Sequence, residues 1–215
     1  MTFRNTILFP LAILPILLFN DVEQASSAIV TYGIEGQLTD VFGPSGLAVG
    51  DRFTGTFSYS LDQTGTNVPT PGITNYVFDS YSLTIQCQTV SAMGGGIQVG
   101  NLSGFDYFQL NVDPLGTVVT GSINGFPAGL LFLALNDLTG SAFTDSTLPT
   151  TLDLANFTGL RRVDVFFPPA NGTAFGEITN LSVVPVPAAL WLFVSGLGGL
   201  ALFRVGMRKK LPLLK

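Results

Sequence analysis

Runs of alternating hydrophobic and polar residues recur through the middle of the chain and predict β-strands. In Arg52–Tyr59 three aromatic side chains fall on one face, and Arg, Thr and Ser side chains fall on the other. Residues Phe108–Val112 alternate as cleanly, and Arg162–Phe166 does so more briefly. The continuously apolar run Leu130–Leu135 predicts a strand that is buried on both faces.

Shorter hydrophobic runs separated by turn residues extend this pattern. The further strand candidates are Ile29–Leu38, Ile97–Gly100, Val118–Ile123 and Glu177–Val183. Pro- and Gly-rich turn clusters at Gly43–Gly46, Val68–Gly72 and Asp113–Gly116 lie between strands. Many short strands with such turns predict an all-β fold, an antiparallel β-sandwich with a jelly-roll-like arrangement over residues 29–182.

The N-terminus has the pattern of a secretory signal peptide, which we assign to residues 1–28. Arg4 precedes an apolar stretch, Ile7–Phe19, and a polar region with small residues follows. Signal peptidase is therefore expected to cut between Ala28 and Ile29. An uncleaved N-terminal anchor is the alternative.

The C-terminus combines an apolar segment with a basic cluster. Ala188–Phe203 is 16 residues long without a charge, and as a helix it spans roughly 24 Å. Because a bilayer core of about 30 Å needs about 20 residues, we extend the predicted transmembrane helix over 188–207, with Arg204 reaching toward the headgroups. Residues 211–215 form a short tail. A buried C-terminal helix is the alternative.

Four basic side chains form the membrane stop within residues 204–210: Arg204, Arg208, Lys209 and Lys210. Positive charge favours the cytoplasmic side, so the C-terminus is expected in the cytoplasm and the upstream chain on the far side of the membrane.

Residues 183–210 resemble the PEP-CTERM sorting signals. Pro185, Val186 and Pro187 stand where those signals carry Pro-Glu-Pro, and the helix opens with Ala-Ala-Leu-Trp-Leu-Phe. The resemblance implies an exported protein of a Gram-negative bacterium and processing by the membrane protease or transpeptidase exosortase. It also implies a cell-surface or extracellular location, with exopolysaccharide or biofilm as the associated material.

Charge divides the chain between its ends and its middle. Residues 29–184 hold twelve carboxylates and three arginines without any lysine, a net charge of about −9. Such a domain repels nucleic acid and anionic lipid. Nucleic acid is therefore excluded as a partner.

The chemistry that the residues permit is narrow. The chain has no histidine, which excludes Ser-His-Asp and Cys-His catalysis and His-ligated zinc. A pair of carboxylates would suffice for a glycoside hydrolase. The acids, however, are scattered singly, as at Asp62, Asp113, Asp145 and Asp164, and this spacing favours solvated surface acids over a catalytic pair.

Calcium is the one cofactor that the sequence suggests. The oxygen-rich segments that begin at Asp62 and at Asn136-Asp137 resemble turns that bind Ca²⁺. Asp and Asn also favour such turns through hydrogen bonds to their own backbone, so we expect no cofactor, and Ca²⁺ is the alternative.

Cys87 is the single cysteine, so an internal disulfide is excluded. It follows Tyr81, Leu83 and Ile85 at alternate positions, which predicts that its thiol is buried on the same strand face. A reactive or intermolecular thiol is the alternative.

These features predict a non-enzymatic exported protein with processing by signal peptidase and exosortase. The alternative is a glycan-binding β-sandwich module held as a single-span membrane protein, and a carboxylate glycoside hydrolase is the third hypothesis.

Overall fold

A computed structural model describes residues 28–111, 118–168 and 172–185. These residues form an all-β structure, as the alternating pattern predicts, with one short 3-10 helix at Leu154–Asn156. The strands are β1 (Ile29–Phe42), β2 (Arg52–Ser60), β3 (Thr66–Asn67), β4 (Ile73–Val77), β5 (Ser80–Ile85), β6 (Gln88–Met93), β7 (Gly96–Leu102), β8 (Phe105–Asn111), β9 (Val119–Thr120), β10 (Ser122–Ile123), β11 (Phe126–Pro127), β12 (Leu130–Asp137), β13 (Arg161–Phe167) and β14 (Gly172–Val183).

Twelve of these strands form one hydrogen-bonded sheet. Their order is β3-β4-β7-β8-β12-β13-β14-β1-β2-β5-β6-β9, and β10 and β11 form a separate ribbon. The pairs are antiparallel. Short turns can join antiparallel neighbours, which agrees with the Gly- and Pro-rich turns in the sequence.

The sheet is strongly curled. Phe57 on β2 and Phe108 on β8 have four strands between them in the sheet, which would separate them by roughly 24 Å if the sheet were flat. Their ring centroids are nevertheless 5.9 Å apart. The inner face of the sheet therefore folds over on itself and encloses the core.

A two-residue connection joins the two halves of the curled sheet. β4 lies next to one edge, β5 lies near the other, and only Phe78 and Asp79 connect them. The Phe78 N–H donates to the Gly95 carbonyl (2.9 Å), whereas the Asp79 N–H donates to the Ser58 carbonyl (2.8 Å). This short crossover brings both halves of the sheet together.

Aromatic rings from neighbouring strands fill the centre of the core. Tyr32, Phe57 and Tyr59 are fully buried and stack on one another, with Tyr32 and Phe57 centroids 5.2 Å apart. Phe53, on the same face of β2, is also buried. The face predicted from the alternation in Arg52–Tyr59 is confirmed, and burial of these large rings is the main stabilising contribution expected here.

The predicted burial of Cys87 is wrong. Tyr81, Leu83 and Ile85 are buried on one face of β5, but the strand ends at Ile85 and Cys87 is exposed. Gln86 and Cys87 have φ values of 50° and 63°, as required at both central positions of a two-residue hairpin turn. The turn interrupts the alternation before it reaches the thiol.

Two other strand predictions need correction. In β12, Leu131, Leu133 and Leu135 are buried on the inner face, whereas Leu130 and Phe132 on the outer face are only half-buried. Ala134 on the outer face is also buried, so the strand is buried on both faces only at its centre.

The predicted strand Val118–Ile123 is divided into β9 and β10. Gly121 lies between them with φ of 98°, a conformation that suits glycine and ends regular pairing.

Within the described ranges no helix has the length and apolar character that a membrane crossing requires. The predicted signal peptide up to residue 27, the turn residues Asp113–Gly116, the predicted helix 188–207 and tail 211–215 lie outside the described residues, as do Val186, Pro187, Arg204, Arg208, Lys209 and Lys210.

Candidate functional site

The two predicted processing points lie at the same end of the sheet. β1 begins at Ile29 and β14 ends at Val183, and these neighbouring strands are antiparallel with Tyr32 opposite Val183. The start of the first strand and the end of the last strand are therefore adjacent. The Val184 N–H donates to the Thr31 carbonyl at 2.8 Å, which extends this pairing by one residue.

Both points are accessible. Ala28, Ile29 and Pro185 are exposed, and the Ala28 carbonyl accepts a hydrogen bond from the Leu61 N–H at 3.0 Å. The Ala28–Ile29 and Val184–Pro185 peptide bonds thus lie at the exposed end of the strand pairing, next to its last hydrogen bonds.

An amide-rich groove crosses the outer face of β4, β7 and β8. Its volume is about 220 Å³, and it is lined by Asn75, Gly96, Ile97, Gln98, Gln109 and Asn111. Asn75 pairs with Gln98 and Gln98 pairs with Gln109 across the strands, so three amide side chains form a lateral row. No charged side chain is among the residues that line this groove.

Hydrogen bonds orient this row. The Tyr107 hydroxyl donates to Gln98 Oε1 (2.8 Å), and Gln98 Nε2 donates to Asn75 Oδ1 (3.0 Å). Burial raises the pKa of Tyr107, which keeps its hydroxyl protonated as the donor. These hydrogen bonds leave the Asn75 amide N–H groups directed away from Gln98. The side-chain amides of Gln109 and Asn111 form no hydrogen bond with a described residue.

A larger groove of about 470 Å³ lies on the outer face of β14, β1 and β2. A β-bulge between Glu35 and Gly36 shifts the register of β1 against β14, and such a bulge redirects local side chains. Glu35 and Arg52 supply opposite charges to this groove. Glu35 is the one carboxylate among its described lining residues.

Two carboxylates meet on the inner face at the end of the sheet. Asp106 on β8 is paired directly with Asp137 on β12, and both residues are buried. Directly opposed side chains on one face have Cβ atoms about 5 Å apart. Like charges at this separation destabilise the pair unless other groups compensate them.

Asp137 is compensated by a loop that folds over it. The backbone N–H groups of Thr139, Ser141 and Ala142 donate to its carboxylate at 2.7 to 3.1 Å. The Thr158 hydroxyl donates as well, at 2.8 Å. The Ser141 N–H above all, and then the Thr139 and Thr158 hydroxyls, hold the pKa of Asp137 well below its usual value against the opposing effect of burial.

Asp106 is compensated only in part. Its Oδ2 accepts the Phe143 N–H at 2.9 Å, whereas its buried Oδ1 has no hydrogen-bond partner among the described residues. Sequence reasoning did not select Asp106. Its position two residues before the core residue Phe108 was the available signal, because alternation places it on the inner face of β8.

The predicted calcium ligands do not come together as one set. Asn136 lies on the outer face of β12, whereas its neighbour Asp137 lies on the inner face. Asp62 follows β2 and accepts a hydrogen bond from the Ser60 hydroxyl. Among the described residues no group of three or more His, Cys, Asp or Glu side chains surrounds a common point.

The other scattered acids have separate local partners. Asp145 accepts hydrogen bonds from the Thr147 hydroxyl and N–H, which lower its pKa. Asp164 lies on the outer face of β13 in a salt bridge with Arg162, whose guanidinium also stacks 4.7 Å from the Phe175 ring centroid. Burial raises the pKa of Asp164 despite Arg162. Neither groove contains two carboxylates among its described lining residues.

Comparison of the chain with protein-family models, with curated proteins and with solved structures finds no match.

Proposed function

We propose that the chain is a non-enzymatic exported protein, delivered to the cell surface or extracellular matrix by a PEP-CTERM-like tail. In this proposal signal peptidase removes residues 1–28, the helix 188–207 holds the chain in the inner membrane with its C-terminus in the cytoplasm, and exosortase recognises Pro185 to Pro187. The mature cargo is the β-domain of residues 29–182, associated with exopolysaccharide or biofilm.

The observation that supports this proposal is the placement of the domain ends. Ile29 begins the first strand and Val183 ends the last strand, side by side at one end of the sheet. Removal of both terminal segments would leave each described strand intact. The close approach of β2 and β8 through the core favours a sandwich-like packing of the two halves, for which we propose the jelly-roll-like arrangement.

Intact-mass analysis of the protein from a Gram-negative host with an exosortase tests this proposal. The expected mature chain begins at Ile29 and ends between Pro185 and Ala188. A host that lacks exosortase should retain a chain ending at Lys215. The same Lys215 end in both hosts would refute processing by exosortase.

Val186 provides a matched variant for the same measurement. The Val186→Glu substitution restores the usual motif, so the processed fraction should stay equal or rise. Replacement of Pro185 and Pro187 by alanine should abolish processing. Processing that is unaffected by the alanine variant would show that this motif is not the recognition element.

The second candidate function is binding of a neutral glycan, and the amide-rich groove favours it. Amide groups offer a donor and an acceptor side by side, which matches adjacent sugar hydroxyls. The half-exposed ring of Phe132 lies beside Asn111 on the same outer face, and an aromatic ring suits the apolar face of a sugar. At about 220 Å³ the groove is below the about 300 Å³ of typical small-molecule sites, so a polymer lying across it fits better than an enclosed ligand.

Affinity electrophoresis of the full chain in detergent tests glycan binding. Gels that contain a neutral β-glucan or galactomannan should retard the protein, and alginate should not. The Gln109→Ala variant should weaken retardation about fivefold, as expected for one lost hydrogen bond. Gln37→Ala, on the outer face of β1, is the matched control. Equal retardation of both variants, or retardation by alginate alone, would exclude this site.

A further inference from the structure

The buried carboxylates of Asp106 and Asp137 are not fully compensated by the described protein groups. Two adjacent carboxylates face the core side of the sheet end, and a buried charge is costly unless it is paired or hydrogen-bonded. Hydrogen bonds satisfy Asp137, whereas one buried oxygen of Asp106 has no partner among the described residues.

No arginine of the described residues is available to neutralise this pair. Arg161 forms a salt bridge with Glu177, and Arg162 forms one with Asp164. Arg52 lines the outer groove between β14 and β2. Residues 29–184 contain no lysine and no histidine. A cation from solution would supply the positive charge that these side chains do not.

The surrounding atoms are oxygen-rich. The hydroxyl groups of Thr139, Ser141 and Thr158 lie within hydrogen-bond distance of the Asp137 carboxylate, at 2.8 to 3.3 Å. Oxygen ligands from carboxylates, hydroxyl groups and carbonyls are the set that Ca²⁺ accepts, with six to eight ligands in flexible geometry. Zinc and copper prefer nitrogen or sulfur ligands, which this cluster lacks.

The loop that covers the pair is fixed to the sheet at Phe143. The Phe143 N–H donates to Asp106 and the Phe143 carbonyl accepts from Asn101 Nδ2 at 3.0 Å. The Phe143 ring packs edge-on against Phe157, with centroids 5.8 Å apart. Loop and sheet are therefore held at a common point, where a bound ion would join β8, β12 and the 138–143 loop.

We propose that Asp106 and Asp137 form a structural Ca²⁺ site at this end of the domain. Asp106 Oδ1 supplies the open ligand position, the hydroxyl oxygens of Thr139, Ser141 and Thr158 supply further ligands, and Asp137, which is saturated by hydrogen bonds, contributes its charge beside the ion. The site differs from the candidate Ca²⁺ ligands suggested by the sequence alone, because it uses Asp106 and includes neither Asp62 nor Asn136. It requires neither the sorting tail nor glycan binding. Extracellular modules bind Ca²⁺ with a Kd of about 10⁻⁴ to 10⁻³ M, and we expect a value in that range.

Thermal unfolding and isothermal titration of the full chain in detergent test the site. Relative to chelator, about 10 mM Ca²⁺ should raise Tm by about 3–8 °C, since binding to the folded state stabilises it by mass action. Titration should give one Ca²⁺ per chain. The same concentration of Mg²⁺ should give a smaller shift, because Mg²⁺ demands a stricter octahedral geometry.

Two substitutions make the test specific to this pair. Asp106→Asn keeps the shape of the side chain and should abolish both the Ca²⁺-dependent Tm shift and the titration signal. Asp62→Asn should retain both. The proposal is overturned if the wild-type protein binds no Ca²⁺, if Asp106→Asn binds as the wild type does, or if Asp62→Asn loses the effect. Should Asp106→Asn fail to fold, Thr158→Ala removes one hydroxyl group of the site and should weaken Ca²⁺ binding; unchanged binding in that variant would overturn the proposal.

Discussion

The side-chain amide of Gln63 pairs with both backbone groups of Val77. Gln63 Nε2 donates to the Val77 carbonyl (2.7 Å), and Gln63 Oε1 accepts the Val77 N–H (2.9 Å). Gln63 Nε2 also donates to the Ser60 carbonyl at 3.1 Å. Strand β3 pairs with β4 only at Thr66 and Asn67, so Gln63 continues the pairing where the backbone of β3 does not reach. An open strand edge invites pairing with another chain, and this amide closes it.

Replacement of Gln63 by glutamate should open that edge. A carboxylate still accepts the Val77 N–H but places its second oxygen against two carbonyl oxygens. We expect a loss of about 1–2 kcal/mol in the free energy of unfolding and increased self-association. Chemical denaturation and size-exclusion chromatography measure the two effects. The exposed Gln37→Glu variant adds the same charge on β1, and an equal effect there would contradict the role given to Gln63.

Removal of the Tyr81 hydroxyl should stabilise the protein. This hydroxyl is buried and has no hydrogen-bond partner among the described residues, so it carries an uncompensated desolvation cost. Tyr81→Phe should therefore raise the free energy of unfolding by about 1 kcal/mol.

Tyr59→Phe is the matched comparison, because the Tyr59 hydroxyl donates to the Pro149 carbonyl at 2.8 Å. Its loss should lower the free energy of unfolding by about 1 kcal/mol. Denaturation curves that show both variants shifting in the same direction would refute this assignment of partners.

Replacement of Cys87 by glycine should relieve backbone strain in the turn. Cys87 has φ of 63°, and a left-handed conformation costs a residue with Cβ roughly 1 kcal/mol. Cys87→Gly should raise the free energy of unfolding by about 0.5–1 kcal/mol, whereas Cys87→Ala keeps the Cβ and should change it little.

The exposed thiol gives a second measurement at the same position. A maleimide should label Cys87 in the native protein without denaturant, since the side chain is exposed. Labelling only after unfolding would contradict the placement of Cys87 in the turn.

Asp137→Asn should destabilise the fold. The measurement is made in chelator so that Ca²⁺ does not contribute to stability. The substitution replaces one carboxylate oxygen by an NH₂ group, which cannot accept a hydrogen bond. The N–H groups of Ser141 and Ala142 donate to this carboxylate, so hydrogen bonds are lost. We expect Tm to fall by roughly 5 °C or more. Asp40→Asn, at an exposed position of β1, should change Tm little.

The pH dependence of the Asp137→Asn effect has a definite sign. The ordinary pKa of this carboxyl is 3.8, and hydrogen bonds lower it in the folded state. Its contribution to stability is therefore complete above pH 3.8 and is lost as pH falls through the lower folded-state value. The Tm difference between wild type and variant should stay constant between pH 7 and about pH 5 and shrink below about pH 4. A difference that already shrinks between pH 7 and pH 5 would contradict this.

Local patterns in the sequence predicted the strands and their inner faces. Phe53, Phe57 and Tyr59 alternate with polar residues within one run, and burial on a common face follows from the two-residue period of a strand. The same rule placed Tyr81, Leu83 and Ile85 correctly. Its failure at Cys87 has a local cause, since Gln86-Cys87 lacks the Asn-Gly or Gly residues that usually indicate such a turn.

By itself, the sequence determined the all-β class, the alternation of each strand and the chemical limits set by the absence of histidine. Only the tertiary structure decided which residues meet. Asp106 lies opposite Asp137, and Gln63 closes the edge at Val77, because strand pairing and sheet curl bring separate parts of the chain together. Such contacts depend on register between distant strands, which the period within one strand does not encode.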